Sequence, residues 1–333
     1  MSRFLPLFAF GLIFVPNHAF AFEELQDCTT CPLMVKIEGG SFPRAGNIND
    51  SPVRVNVDYD YALSRCEVTV GEFAEFANAT GLKSKGCQLF RTTGDIDYPE
   101  GGWNDPGFRQ RDTRPVVCVS WNDANAYAEW LSERTGQAYR LPSESEWEFA
   151  ARAGAGHESK WYVRGNLKTG EAKCATCFGS DVMGREDELT SANVGGKHRN
   201  PFGLADMLGN VSEWTLDCGD GDLADSPVDG SARLDDSCGK RITRGGTFHS
   251  DWAGLSRFRV SRDEGRGRND LGFRVLRELA ASGIDPALER YASSGFESAC
   301  RESPRAHVPG IALRCCLSCR NPGRGSNLGQ YAP

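Results

Sequence analysis

Short runs of alternating apolar and polar residues dominate the chain between residues 34 and 68. Alternation with a period of two is the pattern of a half-buried β-strand, and the Gly-rich or polar segments between the runs are typical of turns. The sequence therefore predicts short strands at residues 34–37, 39–42 and 53–57, with one more inside 59–68.

Three later segments have apolar residues at helical spacing, and each follows a Ser or Thr that opens a capping box or its Asp variant. In a capping box a hydroxyl and a carboxylate three residues later bind backbone N–H groups that would otherwise lack partners. The predicted helices follow Thr69, Ser120 and Ser143 and end at Gly81, Gly136 and Gly154. Their predicted inward-facing residues are Phe73, Phe76 and Ala77; Ala124, Tyr127, Ala128 and Leu131; and Trp147 and Ala150.

Long polar, Gly-rich stretches at residues 83–115 and 155–200 separate these elements. Loops of this length inside a compact domain are usually functional or held by cross-links. From about residue 278 the chain has no Lys, scattered Arg and four Cys, which favours a partly disordered or disulfide-held tail. We predict an α+β domain at residues 22–277, with low regular secondary structure, and a C-terminal tail at 278–333.

The first 21 residues have the pattern of a secretory signal peptide. Arg3 precedes an apolar run from Leu5 to Val15, and residues 19–21 form a small-x-small cleavage site. The run is too short to cross a bilayer. We expect cleavage after Ala21, a periplasmic or secreted protein, and no membrane span afterwards.

Export affects how the 13 cysteines are interpreted, because cysteines in an oxidising compartment form disulfides first. Two pairs bracket polar loops, and two further pairs have C-x-x-C spacing. We predict disulfides for all four pairs, either within or between the C-x-x-C motifs, with a zinc site as the alternative for these motifs. The pairs are Cys87/Cys118, Cys218/Cys238, Cys28/Cys31 and Cys174/Cys177.

The composition is that of a soluble globular protein, with 39% hydrophobic and 25% charged residues. The net charge of −7 argues against nucleic-acid binding. The densest candidate chemistry lies between Arg244 and Arg277, where eight arginines occur among aromatic and polar residues. Such a segment indicates either the wall of a functional site or a network of buried ion pairs.

Several motifs in this order resemble those of the formylglycine-generating enzyme family, also called the sulfatase-modifying factor family. The resemblance covers roughly residues 33–277 and implies a compact α+β fold related to C-type lectins. The motifs that carry it lie at residues 37–42, 67–73, 114–121, 140–152, 200–214, 244–248 and 272–275.

Active members of this family use two cysteines to bind copper(I) and oxidise a substrate cysteine with O₂. Thiolates suit copper(I) because both are soft. Counted from the Arg-Gly-Gly motif, the resemblance places these positions at Ser250 and Leu255. Neither residue replaces a thiolate, so we expect no copper site and no formylglycine generation, although Arg257, Phe258 and Arg259 still match the family.

The family also binds calcium through its Gly-Asn-x-x-Glu-Trp segment, which implies Asn210 and Glu213 as ligands. Oxygen donors in an irregular loop are what Ca²⁺ takes. In the alternative interpretation, Asn210 caps a turn and Glu213 pairs with an arginine from residues 257–274. A second acidic cluster, at Asp217, Asp220 and Asp222, is interpreted as a solvated loop.

Three functions stay open. The first is a divergent exported enzyme, because the family includes a periplasmic protein needed for pyoverdine siderophore maturation that also lacks the copper cysteines. By analogy this chain would modify or oxidise an exported peptide or siderophore-type product, with His249 as acid or base near neutral pH. The candidate cleft residues are His249, Ser250, Asp251, Trp252, Arg257 and Arg259.

The second function is a non-catalytic binding module for an exported protein or small-molecule ligand. The same fold displays variable residues in retroelement-diversified proteins, and His249, Trp252, Phe258 and Asp263 would then form the recognition surface. The third is a structural envelope protein whose arginines only pair with core carboxylates. The sequence does not indicate an oligomeric state.

Overall fold

A computed structural model describes most of the first 279 residues. The described residues are 22–44, 51–91, 93–156, 171–177, 190–235, 237–251, 255 and 259–279. The predicted signal peptide and the tail from residue 280 lie outside them, and the chain divides into the units 1–279 and 280–333. Within the described residues, every helix is too short or too polar to cross a membrane.

Short strands supply most of the regular structure. They are β1 (Glu24–Leu25), β2 (Met34–Ile37), β3 (Gly40–Arg44), β4 (Val53–Val57), β5 (Tyr61–Ser64), β6 (Cys87–Leu89), β7 (Ile96–Tyr98), β8 (Tyr139–Arg140), β9 (Ser212–Cys218), β10 (Lys240–Arg244), β11 (Arg259–Asp263), β12 (Leu271–Gly272) and β13 (Leu276–Glu278). One sheet has the order β1-β2-β5-β13-β8 and another the order β11-β10-β9-β12, while β3-β4 and β6-β7 form separate pairs. The strands predicted at 34–37, 39–42 and 53–57 are confirmed as β2, β3 and β4, and β5 lies inside 59–68.

The three predicted helices are present as α1 (Val70–Thr80), α2 (Trp121–Thr135) and α3 (Glu144–Arg152). All three have the predicted capping box, and α1 and α2 end at Gly81 and Gly136 in the left-handed conformation. The predicted end of α3 at Gly154 is wrong by one residue. Ala153 adopts the left-handed conformation instead, with φ 46°, and its N–H bonds the carbonyl of Phe149.

Helix α3 differs from the other two because it is buried around most of its circumference, including three glutamates. A helix that buries carboxylates needs cationic partners for them. Arg244 and Arg259 of the Arg-rich segment supply partners for Glu144 and Glu148, so α3 links the core to the candidate site. Glu146 pairs instead with Arg140.

The core between α1 and α2 is aromatic. Phe73 stacks on Tyr127 with ring centroids 5.8 Å apart, and Phe273 meets both rings edge-on. The Gly-Phe-Arg motif at the end of the Arg-rich segment is therefore part of the core.

The four predicted disulfides are confirmed, and each C-x-x-C motif closes on itself. Sulfurs bonded in this way are not thiolates, so the zinc alternative is not met. Within the described residues Cys66 is free. The bonds are Cys28–Cys31, Cys87–Cys118, Cys174–Cys177 and Cys218–Cys238.

Candidate functional site

Two glycines turn the chain from β10 into the loop at residues 247–251, which we call the cleft loop. Gly245 and Gly246 have φ values of 98° and 74°, a region that side chains rarely adopt. An added Cβ at Gly246 would lie 2.5 Å from Leu255 Cδ2. The Gly-Gly pair is therefore required both by backbone conformation and by close packing against Leu255.

Ser250 and Leu255, where the resemblance places the family's copper thiols, hold groups that do not fit the metal. Ser250 uses its hydroxyl within the loop, where Oγ accepts a hydrogen bond of 3.0 Å from the Thr247 N–H. Leu255 is 1% exposed and belongs to the core cluster that contains Trp147 and Met207. Copper(I) needs soft donors, and a loop hydroxyl with a buried hydrocarbon supplies none.

His249 is held from two sides in the cleft loop. Its Nε2 lies 2.6 Å from Asp270 Oδ2, and its ring stacks on Phe90 with centroids 3.4 Å apart and planes 4° apart. The side chain is 15% exposed. Nδ1 makes no hydrogen bond to any described residue. The imidazole is thus fixed in orientation while one nitrogen is left for a ligand.

Asp270 is buried behind His249 and is itself held by Arg268, whose Nε lies 3.0 Å from Oδ1. Burial alone would raise the pKa of Asp270, but the bond to His249 and the charge of Arg268 outweigh it and lower the pKa to about 2. Asp270 is therefore a carboxylate at neutral pH and can only accept. The proton of a neutral His249 then sits on Nε2, and the lone pair is on Nδ1.

The chain of contacts continues behind Asp270. Arg268 Nη1 donates to Asp95 Oδ2 at 2.6 Å and to Gln88 at 2.7 Å. Gln88 lies in β6 and Asp95 directly precedes β7, so this strand pair is connected to the cleft loop through one guanidinium.

The predicted cleft residues are brought together only in part. His249, Ser250 and Asp251 share the cleft loop, but the carboxylate that meets His249 is Asp270 and not the adjacent, exposed Asp251. Trp252 and Arg257 lie outside the described residues, as does Phe258. Arg259 Nε donates to Glu144 Oε1 at 2.8 Å and so contributes to the ion pairs behind the cleft.

Asp270 was not identified from the sequence. It lies 21 residues from His249 in the chain, and the sequence around either residue does not indicate that the two side chains are in contact. The available signal was an acidic residue directly before the Leu-Gly-Phe-Arg run.

Buried ion pairs surround α3, as the second interpretation of the Arg-rich segment predicts. Arg244 lies 3.3 Å from Glu144 and 3.2 Å from Glu148, and Arg44 lies 3.6 Å from Glu148. Burial alone would raise the pKa of Glu148, but Arg244 and its neighbouring arginines lower it instead. We call this set, with Arg259 and the Glu213–Arg274 pair described next, the ion-paired wall.

Glu213 makes the contacts of the ion-pair alternative. Its Oε2 accepts from Arg274 Nε at 2.6 Å and from Trp147 Nε1 at 2.6 Å, and its Oε1 accepts from Arg274 Nη2 at 2.7 Å. Asn210 accepts from the Ala192 N–H at 2.8 Å and donates to Glu67 at 3.0 Å. The side-chain oxygens of Asn210 and Glu213 thus accept hydrogen bonds from protein groups, and calcium binding at these residues stays a prediction.

The prediction that Asp217 lies in a solvated loop is wrong. It is buried, Oδ2 accepts from the Glu144 N–H at the start of α3 at 2.6 Å, and Oδ1 accepts from the Arg233 N–H at 2.9 Å. Burial raises its pKa to about 6. Asp220 and Asp222 are exposed, as predicted. The tertiary position of α3, which the local pattern does not reveal, explains the difference.

Comparison with known proteins matches residues 21–279 to the sulfatase-modifying factor enzyme 1-like domain. The formylglycine-generating enzyme of Thermomonospora curvata is 30% identical over 272 residues, covering 68% of this chain and 86% of that protein. A Mus musculus protein named inactive C-alpha-formylglycine-generating enzyme 2 is 32% identical over 220 residues, covering 55% of this chain and 68% of its own.

Among solved structures, PvdO from Pseudomonas aeruginosa superposes with a TM-score of 0.64 at 31% identity. The match covers 77% of this chain and 98% of PvdO. The short strands, three capped helices and long loops are thus those of a formylglycine-generating-enzyme-like α+β fold. This chain belongs to the sulfatase-modifying factor family.

Proposed function

We propose that this protein is an exported member of the family that does not generate formylglycine. We propose further that it modifies or oxidises an exported peptide or siderophore-type product in the cleft around His249. One observation carries the proposal: the resemblance places the copper thiols of active members at Ser250 and Leu255, and Ser250 directly follows His249 of the fixed His249–Asp270 pair.

The chemistry assigned to this pair is proton transfer. His249 Nδ1 takes a proton from a substrate O–H or N–H, and ionised Asp270 stabilises the resulting imidazolium. Phe90 keeps the ring plane fixed, so little reorientation is needed when the proton moves. A net oxidation would also require an electron acceptor such as O₂, which these residues do not replace.

The test compares exported small molecules and peptides by mass spectrometry in cells that carry the wild-type protein, His249→Gln or Asp270→Asn. We expect both variants to accumulate an unmodified precursor. Lys240→Gln, at an exposed position of β10 outside the cleft loop, is the control. Unchanged product profiles in variants that are folded and exported would contradict the proposal. Fractionation of the same cells tests the proposed periplasmic or secreted location.

A binding module is the second candidate, and the inactive mouse relative supports it because family membership does not guarantee catalysis. The exposed Asp263 and the accessible edge of His249 would then contact a partner. In this case His249→Gln leaves the product profile unchanged and lowers the amount of ligand that co-purifies with the protein.

A further inference from the structure

A cavity of about 240 Å³ lies apart from the cleft loop, beside the β6–β7 pair. The segment after α1, the start of α2 and the turn after β11 form its other walls. None of the candidate cleft residues lines it. The cavity is therefore a separate feature that the proposed function does not use.

The rim of the cavity carries an excess of positive charge. Lys83, Lys85 and Arg266 line it together with Asp97 and Asp123. Arg266 pairs with Asp97, and Lys85 Nζ lies 3.9 Å from Asp123 Oδ1. Lys83 makes no ion pair within the described part of the chain. On a protein of net charge −7, such a rim favours an anionic ligand.

Part of the cavity lining is aromatic, among polar residues such as Gln88 and Ser120. Tyr98 and Trp103 line the cavity together with the Cys87–Cys118 disulfide. Phe73 meets the Trp103 ring edge-on at 5.6 Å, and the Tyr98 hydroxyl donates to Asp105 Oδ2 at 2.8 Å. These contacts fix both rings, so the cavity is already formed without a ligand.

Close packing at the base also restricts the cavity. A Cβ added to Gly267 would lie 2.5 Å from the carbonyl carbon of Cys118, so the turn after β11 packs directly on the disulfide-bonded segment. The volume is below the ~300–1,000 Å³ typical of sites that enclose a whole drug-sized ligand. It suits one ring or one side chain.

We propose that this cavity binds an aryl carboxylate group that forms one end of the substrate. The carboxylate lies at the Lys83–Lys85–Arg266 rim and the ring lies between Tyr98 and Trp103. Strand β6 begins at the cavity with Cys87 and is followed by Phe90, the residue that stacks on His249. Three residues of strand span roughly 10 Å, a distance that is within the length of one extended molecule.

The inference rests on the proposed function only in placing the rest of the molecule at His249. The probe is therefore one that does not need the reaction. Binding of 3-phenylpropionate and of its neutral amide, 3-phenylpropionamide, is measured by ligand-observed NMR titration at low salt. We expect the acid to bind about three- to tenfold more tightly than the amide, since each exposed charge contributes modestly.

Two variants target different properties of the cavity. Gly265 lines it without a left-handed backbone, and an added Cβ meets only Asp263 Oδ1, at 3.3 Å. Gly265→Phe should fill the cavity and abolish binding of both probes. The double variant Lys83→Gln/Lys85→Gln should remove the preference for the acid. Gly239→Phe, where an added Cβ meets nothing within 4 Å, and Lys240→Gln are the matched controls.

The inference is overturned if acid and amide bind the wild-type protein equally, or if neither binds at about 10 mM. It is also overturned if the lysine double variant keeps the preference, a result that does not depend on how Gly265→Phe folds. His249→Gln should bind 3-phenylpropionate as the wild type does. A product profile that depends on His249, in a protein that does not bind the probe, therefore contradicts this inference alone. Probe binding in a protein whose product profile does not depend on His249 contradicts the proposed function alone.

Discussion

The ion-paired wall and the cleft loop both contain residues of the segment from Arg244 to Arg277, yet they satisfy their polar groups differently. In the wall, Arg274 and Glu213 bind each other through two parallel hydrogen bonds in full burial. In the loop, the imidazole of His249 has one hydrogen bond to the described residues, at Nε2. The wall thus fixes the shape of the cleft, while the few side chains of the loop decide its chemistry.

This difference explains how a family member keeps the fold without the copper thiols. Replacement of a thiol by Ser250 or Leu255 breaks no ion pair, because neither position belongs to the wall. Replacement of a wall residue leaves a charge buried without a partner, which is far more costly.

The largest predicted effect is in the wall. Glu213→Ala leaves Arg274 buried without its carboxylate and should cost about 3–5 kcal/mol of unfolding free energy. Urea denaturation measures it, and the exposed Arg266–Asp97 pair supplies the control, since Asp97→Ala should cost well under ~1 kcal/mol. Equal effects of the two substitutions would show that the wall does not determine stability.

Removal of metal tests whether Glu213 is balanced by Arg274 or by a cation. If Arg274 supplies the positive charge at Glu213, EDTA should leave the Tm unchanged and metal analysis should find no Ca²⁺ in the purified protein. A Tm that falls with EDTA and returns with added Ca²⁺ would support the calcium prediction for Asn210 and Glu213 instead.

The next effect concerns Asp217, which joins the wall at the start of α3. Its folded-state pKa of about 6 lies above that of an unfolded aspartate, so the folded protein binds more protons between about pH 4 and 6. Stability should therefore fall by up to about 3 kcal/mol as pH rises through this window. Asp217→Asn should remove that slope in urea titrations at pH 4, 5 and 6; an identical slope in the variant would argue against a buried, proton-binding Asp217.

Asp270, in contrast, should make the free energy of unfolding fall as the pH is lowered. Its pKa of about 2 lies below the unfolded value, so its contribution is complete above about pH 4 and is lost as pH falls towards 2. The contribution is about 2.5 kcal/mol. The stability difference between wild type and Asp270→Asn should shrink over pH 4 to 2, and a constant difference would contradict the His249–Asp270–Arg268 arrangement.

The smallest predicted loss of stability is at the start of α1, outside both the ion-paired wall and the cleft loop. Thr69→Ala removes the hydroxyl that accepts from the Glu72 N–H at the start of α1 and should cost about 1 kcal/mol. The product profile should not change. A loss of product at normal expression would mean that the activity of the cleft depends on α1 as well as on the ion-paired wall and the cleft loop.

Local features of the fold could be predicted from the sequence, and contacts between distant segments could not. The capping boxes at Thr69, Ser120 and Ser143 are complete within four residues, so their side chains alone predict three helix starts. Ala153 took the place of the predicted glycine because the end of α3 is set by packing.

The candidate site was predicted less completely for the same reason. The Arg-Gly-Gly motif located the cleft loop, but the Glu213–Arg274 pair joins residues 61 positions apart and the Arg244–Glu144 pair joins residues 100 positions apart. Asp217 was predicted to be solvated because it was grouped with Asp220 and Asp222, whereas its partners are the distant backbone N–H groups of Glu144 and Arg233.

We infer that this protein retains the shape of the family's cleft without the family's copper chemistry. The most direct test incubates the purified mature protein with copper(I), O₂ and a peptide that carries the sulfatase cysteine motif, and detects aldehyde by mass spectrometry. An active family enzyme serves as the positive control. We predict no aldehyde, because Ser250 and Leu255 provide no thiolate. Conversion of the cysteine to formylglycine would show that the copper chemistry is retained.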